Sequence, residues 1–445
     1  MNGQPEDPRR FAALRNRSSG TYIAGGALSM MADNIEHVLG YWVLWQTFHS
    51  PWLVGFQIVS HWLPFLLFSV YAGALAQRFD CRRIIQIAQA LFMLVSICWG
   101  VLFLTGTLEL WHACVLLVLH GLAGCLWMPA EQLMLYDFVG PRQLPSAVRI
   151  NSTFRSLAFI AGPVVGSALL IGIGPAYGMF VNVLFYLPLT IFLFRTRFTG
   201  HGSAGRAAST TTADPAPPAR AAAPEPVAAE PPAPQRMSFF AAFSVLGTVR
   251  RHREIFGMIL LTALSGVTIG HLLQNAMPEF AEILGGAGGG AAYGLLLFAN
   301  GVGGVIGGFL LEATRKVPPT APTAVGSAIL LGISTVVFAS SGSLVLAVIA
   351  LAVGGVAKIA SESTEMSIVQ LQAPDAERGR VIGAYTMFGP GMMTFGGVTA
   401  GLLGSLLGIQ AAVLVSGVVL TVGAAAVGAW LLLPRRGRAA AGAPR

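Results

Sequence analysis

The stretch Gly73-Ala-Leu-Ala-Gln-Arg-Phe-Asp-Cys-Arg-Arg83 is a short basic break between two long apolar runs. The break before it, His49-Ser-Pro51, carries no lysine or arginine, and neither does the break after it, Gly106–Leu110. The following break holds Arg142 and Arg149. The alternation continues through Arg315-Lys316 and Arg378 with Arg380 to the arginines of the C-terminal tail. Moving a cationic side chain across a bilayer is costly, so basic residues stay on the side where the chain is made. Loops that are alternately basic and neutral therefore describe a chain threaded repeatedly through a membrane, and they give each loop a side. Lys358 is read as the basic residue that stands outside this pattern.

Composition agrees with that reading. Hydrophobic residues make up 54% of the chain and charged residues 10%, where a soluble domain carries roughly a quarter charged residues. The net charge of +8 lies in short loops and tails beside apolar runs, so the excess reports topology and argues against nucleic acid as a partner. Cys81 sits in a basic loop and Cys98, Cys114 and Cys125 sit in apolar runs. Without CxxC or Cys/His ligand spacing, neither a disulfide framework nor a metal site is expected. Arg9, Arg10, Arg15 and Arg17 precede the first apolar run without a cleavage signal, so that run is expected to remain as a membrane helix. The expected location is the cytoplasmic membrane of a bacterium, multi-pass, with both termini cytoplasmic.

A helix needs about 20 residues to cross the hydrocarbon core. The apolar runs predict spans near 20–48, 52–76, 84–105, 110–138, 147–172 and 174–195, and again near 254–281, 291–312, 321–341, 343–372, 381–406 and 409–433. The expected fold is an all-α polytopic membrane protein with twelve transmembrane helices in two pseudo-symmetric six-helix bundles. The first bundle covers 20–198, after a cytoplasmic tail at 1–19. Residues 199–236, rich in Pro and Ala, cannot bury enough apolar surface to fold and are expected to form a disordered cytoplasmic linker. Residues 237–253, with aromatics and a terminal basic cluster, predict an amphipathic segment on the membrane surface. The second bundle covers 254–434, before a tail at 435–445. Gly308-Phe-Leu-Leu-Glu-Ala-Thr-Arg-Lys316 repeats the pattern of Gly73–Arg83 in the second half, as expected of parallel repeats that rock about a central site.

These residues resemble the major facilitator superfamily. Gly73–Arg83 is similar to its signature loop GxLaDrxGrRxx: Gly73, Arg78, Arg82 and Arg83 match, while Gln77 stands at the acidic position and Asp80 at the second glycine. In that family the loop latches a gate through its acidic residue, a role that the resemblance leaves to Asp80 here. Ala161-Gly-Pro-Val-Val-Gly-Ser167 resembles the GPxxGG motif of proton-coupled exporters, with Gly162, Pro163 and Gly166 in register. Asn151-Ser-Thr-Phe-Arg155, Tyr293–Leu297 with Asn300–Gly303, and Glu377–Gly383 look like the branch that includes the enterobactin exporter and macrolide efflux pumps. The resemblance implies the major facilitator fold and export of a siderophore- or drug-like small molecule. A lysophospholipid flippase is the alternative within the family, and a non-transporting sensor or scaffold the alternative outside it.

Charges within apolar runs need a reason, because each costs at least about 2.5–3.5 kcal/mol at the bilayer centre. Asp33 and Glu36 lie three apart on one face of the first span, with His37 beside them. Two such acids do not both ionise cheaply, so the pair is expected to exchange a proton. Glu131, after Pro129, and the i,i+4 pair Lys358 and Glu362 complete the proton-coupling or substrate candidates. Cavity candidates are Gln57, His61, Trp127 and Asn300, with the cluster His271, Gln274 and Asn275. His120 is among the cavity candidates too, and lone intramembrane histidines are read as more often bonding a neighbouring helix than binding metal. Asp137 is expected to pair with Arg142 or Arg149. No GxxxxGK[ST], HExxH or GxSxG is present, so a transporter without cofactor, driven by a proton gradient and not requiring an oligomer, is expected instead of an enzyme.

Overall fold

Where no water can reach the backbone, a chain must satisfy its own peptide groups, and this one does so as helices. The structure, a computed structural model, describes residues 11–48, 51–201, 240, 243–270, 272–285, 289–314, 318–395, 403–404 and 406–433. Helix α1 (Ala12–Arg15) leads into α2 (Arg17–Phe48), α3 (Pro51–Arg78) and α4 (Cys81–Thr105). Next comes α5, Leu110–Arg195, 86 residues in three helical sectors. Straight, it would reach about 130 Å, several times the roughly 30 Å of a hydrocarbon core. It turns back instead at Gly140 (φ 67, ψ 177) and Gly174 (φ 82, ψ 165), each followed by proline. Glycine takes positive φ without a Cβ penalty, and proline has no N–H to carry the helix ladder through. The three sectors, 110–139, 141–173 and 175–195, stand where the fourth, fifth and sixth spans are expected.

The second half contains α6 (Val245–Arg251), α7 (Arg253–Thr268), α8 (Leu272–Gly285), α9 (Gly289–Thr314), α10 (Ala321–Ala339), α11 (Leu344–Gln372), α12 (Arg378–Phe388) and α13 (Ile409–Leu432). Two expected spans are not continuous. The run 254–281 is divided between α7 and α8, and 381–406 stops at Phe388 before a short 3-10 turn, Pro390–Met392. Pro390 explains the second break, since a residue before proline is pushed out of the helical region, and Gly389 sits at φ −88, ψ −91. The two breaks meet: a Cβ on Gly266 would lie 2.7 Å from the carbonyl oxygen of Gly389.

In α6 the buried Val245 and Val249 lie four apart and Arg250 is exposed, the two faces expected of an amphipathic segment. At the start of the expected linker, Thr199 accepts a hydrogen bond from Cys81 N–H, and Gly200 N–H donates to Asp137 Oδ2. The expected linker from 202 to 236 and the tails 1–10 and 434–445 lie outside the described residues, as do Arg315, Lys316 and His271. Large apolar side chains such as Ile171, Val164 and Phe194 stand outward on the helices. A surface of that kind suits hydrocarbon, not water.

Candidate functional site

The first bundle brings its titratable side chains to one place. Asp33, Glu36 and His37 project from α2, His61 from α3, and His120 from the first sector of α5. Close packing of backbones makes the meeting possible. A Cβ on Gly121 would lie 2.2 Å from the carbonyl oxygen of Ser60, so α5 and α3 touch beside His120 and His61. A Cβ on Gly162 would lie 2.4 Å from Asn34 Cβ, and one on Gly166 3.1 Å from Val38 Cβ. The glycines of the Gly-Pro motif thus hold the second sector of α5 against the helix that carries both acids. Gly162→Ala is expected to force α2 outward and to cut flux by about tenfold or more while the chain still inserts, a 1.4 kcal/mol effect on the working geometry. Flux per inserted molecule in proteoliposomes checks it.

His120 is the centre of the arrangement. Its Nε2 lies 2.7 Å from Asp33 Oδ1 and its Nδ1 2.8 Å from Glu36 Oε1. Two hydrogen bonds through one imidazole require two protons: either an imidazolium between two carboxylates, or a neutral imidazole with one carboxyl group. Glu36 Oε2 also accepts from Ser96 Oγ, which in turn accepts from Asn182 Nδ2 at 3.2 Å. Asp33, Glu36 and His120 are all buried. His37 Nδ1 stands 3.9 Å from Asp33 Oδ2. The rings of His37, His61 and His120 lie 5.0 to 5.4 Å apart, centre to centre. A small cavity bordered by Glu36, His37, Tyr41, Gln57, His61 and His120 lies beside them. Asp33, His37, His61 and His120 each offer a ligand atom within 4.8 Å of the others, a donor set able to hold a metal. The sequence shows no metal-ligand spacing because these donors come from three helices.

Of the expected site residues, Asp33, Glu36, Gln57 and His61 come together here. Glu131 is elsewhere: buried, it receives Arg155 at 3.0 Å and Asn151 Nδ2 at 3.5 Å. Arg155 also lies over the ring of Trp127, 5.7 Å from its centre. Arg155 is a second basic residue within a span, so Lys358 is not alone, as the loop pattern had suggested. Lys358 and Glu362 pair at 3.8 Å and both stay more than a third exposed, so their attraction is weak. Asn300 is half-buried between α9 and α11, with its Nδ2 3.5 Å from the carbonyl of Leu351. The side chains of Gln274 and Asn275, like His271, lie outside the described residues. Glu365, not expected to act, is buried and accepts from Ser361 Oγ at 2.6 Å and Tyr385 O–H at 3.1 Å.

The two halves lock at the end that carries the basic loops. A Cβ on Gly73 would lie 2.1 Å from the carbonyl of Gly379, and one on Gly383 2.3 Å from that of Ser69, so α3 and α12 meet backbone to backbone. Gln77 Nε2 donates to the carbonyl of Asp375 at 3.0 Å, Gln370 Nε2 to Gln132 Oε1 at 2.8 Å, and the Arg378 guanidinium lies 4.0 Å above the ring of Tyr136. The charged contact is made by the second copy of the loop pattern. Glu312, fully buried on α9, accepts from Arg149 Nε at 2.9 Å, Ser146 Oγ at 2.5 Å and Phe11 N–H at 3.1 Å. Arg149 is thereby engaged across the halves, and Asp137 holds Gly200. Asp80 turns to its own helix: it caps α4 by accepting from Arg82 N–H at 2.9 Å and pairs with the Arg82 guanidinium at 2.6 Å. Arg82 in turn donates to the Thr196 carbonyl, while Arg83 reaches Gln86 and Arg78 covers the ring of Phe79. Burial raises the Asp80 carboxyl, but the hydrogen bonds from Arg82 outweigh it and hold the group below the usual range. Such a cap persists at neutral pH and is lost as pH falls through the depressed value, a loss measurable as acid-side melting.

Two helical halves joined across a gated end, with a buried carboxyl–imidazole bridge inside one of them, define a polytopic membrane transporter. The Major Facilitator Superfamily model matches residues 20–389, and the chain belongs to that family. It is 25% identical over 184 residues to the MFS-type transporter YfiS of Bacillus subtilis (strain 168), covering 39% of this chain and 43% of that one. It is 24% identical over 176 residues to the staphyloferrin A transporter of Staphylococcus aureus (strain NCTC 8325 / PS 47), covering 38% and 44%. The matched stretch thus spans less than half the length of these curated relatives. In fold it is similar to the E. coli fucose:proton symporter FucP, with TM-score 0.65 and 14% identity over 94% of this chain and 99% of that one. It is similar also to the human organic anion transporter MFSD10 (TETRAN), with TM-score 0.64 and 14% identity over 92% and 98%.

Proposed function

We propose that the protein is a proton-coupled exporter of amphipathic small molecules, siderophore- or drug-like, that works by alternating access. The observation that carries this reading is the bridge Asp33–His120–Glu36, three titratable groups hydrogen-bonded in the interior of one bundle. The likeness to the staphyloferrin A transporter supports a siderophore-class substrate. With the basic loops on the cytoplasmic side, the interlocked end is the inner gate, and the bridge is loaded from outside. A proton taken up there weakens the hold on substrate facing outward, and its release to the cytoplasm resets the site. One charge crossing 100 mV supplies about 2.3 kcal/mol, a substrate ratio of roughly 50-fold per proton.

The test is accumulation inside inverted vesicles, where export reads as uptake, against a panel of siderophores, macrolides and lysophospholipids, with and without a pH gradient. The double variant Asp33→Asn with Glu36→Gln is expected to insert normally and to lose gradient-driven flux. Full efflux by that variant refutes the coupling site. Movement of lysophospholipid alone would replace the exporter with a lipid flippase.

A further inference from the structure

We propose that Asp33, His37, His61 and His120 bind one divalent transition-metal cation of the zinc class. The donors come from α2, α3 and α5, and their ligand atoms already lie within 4.8 Å of one another. A tetrahedral zinc ion with bonds of about 2.0–2.2 Å needs donors about 3.4 Å apart. Small rotations about the side-chain bonds close that gap without moving a helix. The set holds three imidazoles and one carboxylate, which suits zinc, cobalt, nickel or copper and disfavours magnesium and calcium, which take oxygen.

Two observations beyond the cluster point to a metal. The first is the surroundings of His120. A metal-bound histidine characteristically donates its other ring N–H to a carboxylate, which fixes the ring and raises its basicity. With Nε2 turned to the metal, His120 Nδ1 donates to Glu36 Oε1 at 2.8 Å. Glu36 is itself steadied by Ser96, and Ser96 by Asn182 at 3.2 Å. Three helices thus supply an outer shell for one ring. The second observation is His37 Nε2, which is buried without a hydrogen-bond partner in the protein. A buried ring nitrogen left bare is costly, and a cation beside it repays that cost. The adjoining cavity, bordered by His37, Gln57, His61 and His120, has room for about one water-sized group.

The inference needs only the cluster and stands apart from the export reading. The test uses the full chain, purified in detergent, freed of any polyhistidine tag and stripped with chelator. Equilibrium dialysis against zinc is expected to give one zinc per chain, not displaced by a hundredfold excess of magnesium. Cobalt is expected to give the intense visible bands of a four-coordinate site. His61→Ala and His37→Ala should each weaken binding by at least about tenfold. His112→Ala, changed at the exposed capping histidine that begins α5, should leave it unaltered. Less than about one zinc per five chains, displacement by magnesium, or binding indifferent to His61→Ala overturns the proposal. If the variants do not fold, the wild-type cobalt spectrum decides, because a weak six-coordinate band also overturns it. Flux measured on the same preparation separates the two readings: loss of zinc binding with intact pH-driven flux removes the metal and keeps the exporter.

Discussion

On the proposed proton-coupled reading, His120→Ala is expected to abolish gradient-driven transport and to destabilise the first bundle. The imidazole is the sole side chain bonded to both Asp33 and Glu36 among the described residues, at 2.7 and 2.8 Å. Without it two buried carboxyls lose their common hydrogen-bond partner. Breaking a buried charge pair by removing one partner costs about 3–5 kcal/mol. The accumulation ratio of roughly 50-fold per proton at 100 mV falls toward unity, since coupling needs a group that passes a proton between the acids. His120→Gln separates the two effects. Its amide can hydrogen-bond to the carboxyls but does not take up or release a proton near neutral pH, so it is expected to restore part of the stability and none of the coupling. Melting in detergent and counterflow in proteoliposomes measure the pair. Wild-type accumulation by His120→Ala would dismiss the bridge as structural.

Much of this architecture is legible in the chain because membrane topology is written in local chemistry. A basic loop such as Arg78–Arg83 is recognisable without knowing what it touches, and an apolar run shows its length directly. The breaks at Gly140 and Gly174 are likewise carried by Gly-Pro pairs. The division of 254–281 is less visible. Just before it Gly266 packs against Gly389, two residues more than a hundred positions apart that no local pattern relates. The site divides in the same way. Asp33 and Glu36 are legible as a pair because three residues make one helix face. Their partner His120 lies on α5 and looks, in sequence, like any isolated histidine. The available signal was numerical: four acids and four histidines fall inside the apolar runs of the first half, His37, His61 and His120 among them. Arg155 was missed for a different reason. It follows Arg142 and Arg149 closely enough to be counted with them, although the expected span 147–172 already contains it.

On the proposed alternating-access reading, Glu312→Ala is expected to shift the protein toward a form open at the basic-loop end. Three donors from the first half converge on that carboxylate: Arg149, Ser146 and the backbone N–H of Phe11. All of these contacts join the halves, so they exist in full only while this end is closed. A ligand or contact biases an equilibrium only by its differential free energy between the states, and here the difference is nearly the whole interaction. Removing the acid takes the Glu312 ion pair away from Arg149, itself buried, in the closed form. The penalty of about 3–5 kcal/mol falls on that form alone, since an opened interface lets water reach the guanidinium. That is a shift of roughly two to four orders of magnitude in the ratio of the two forms. Gln77→Ala, by contrast, removes one exposed hydrogen bond to Asp375 and is expected to shift the ratio by less than about tenfold. Spin labels at Arg83→Cys and Gln372→Cys, in a chain whose native cysteines are replaced by alanine, report the opening as a longer inter-label distance. If Glu312→Ala leaves that distance unchanged while Gln77→Ala lengthens it, the gate is held by the signature loop of the first half. The charged latch would then not have passed to the second copy.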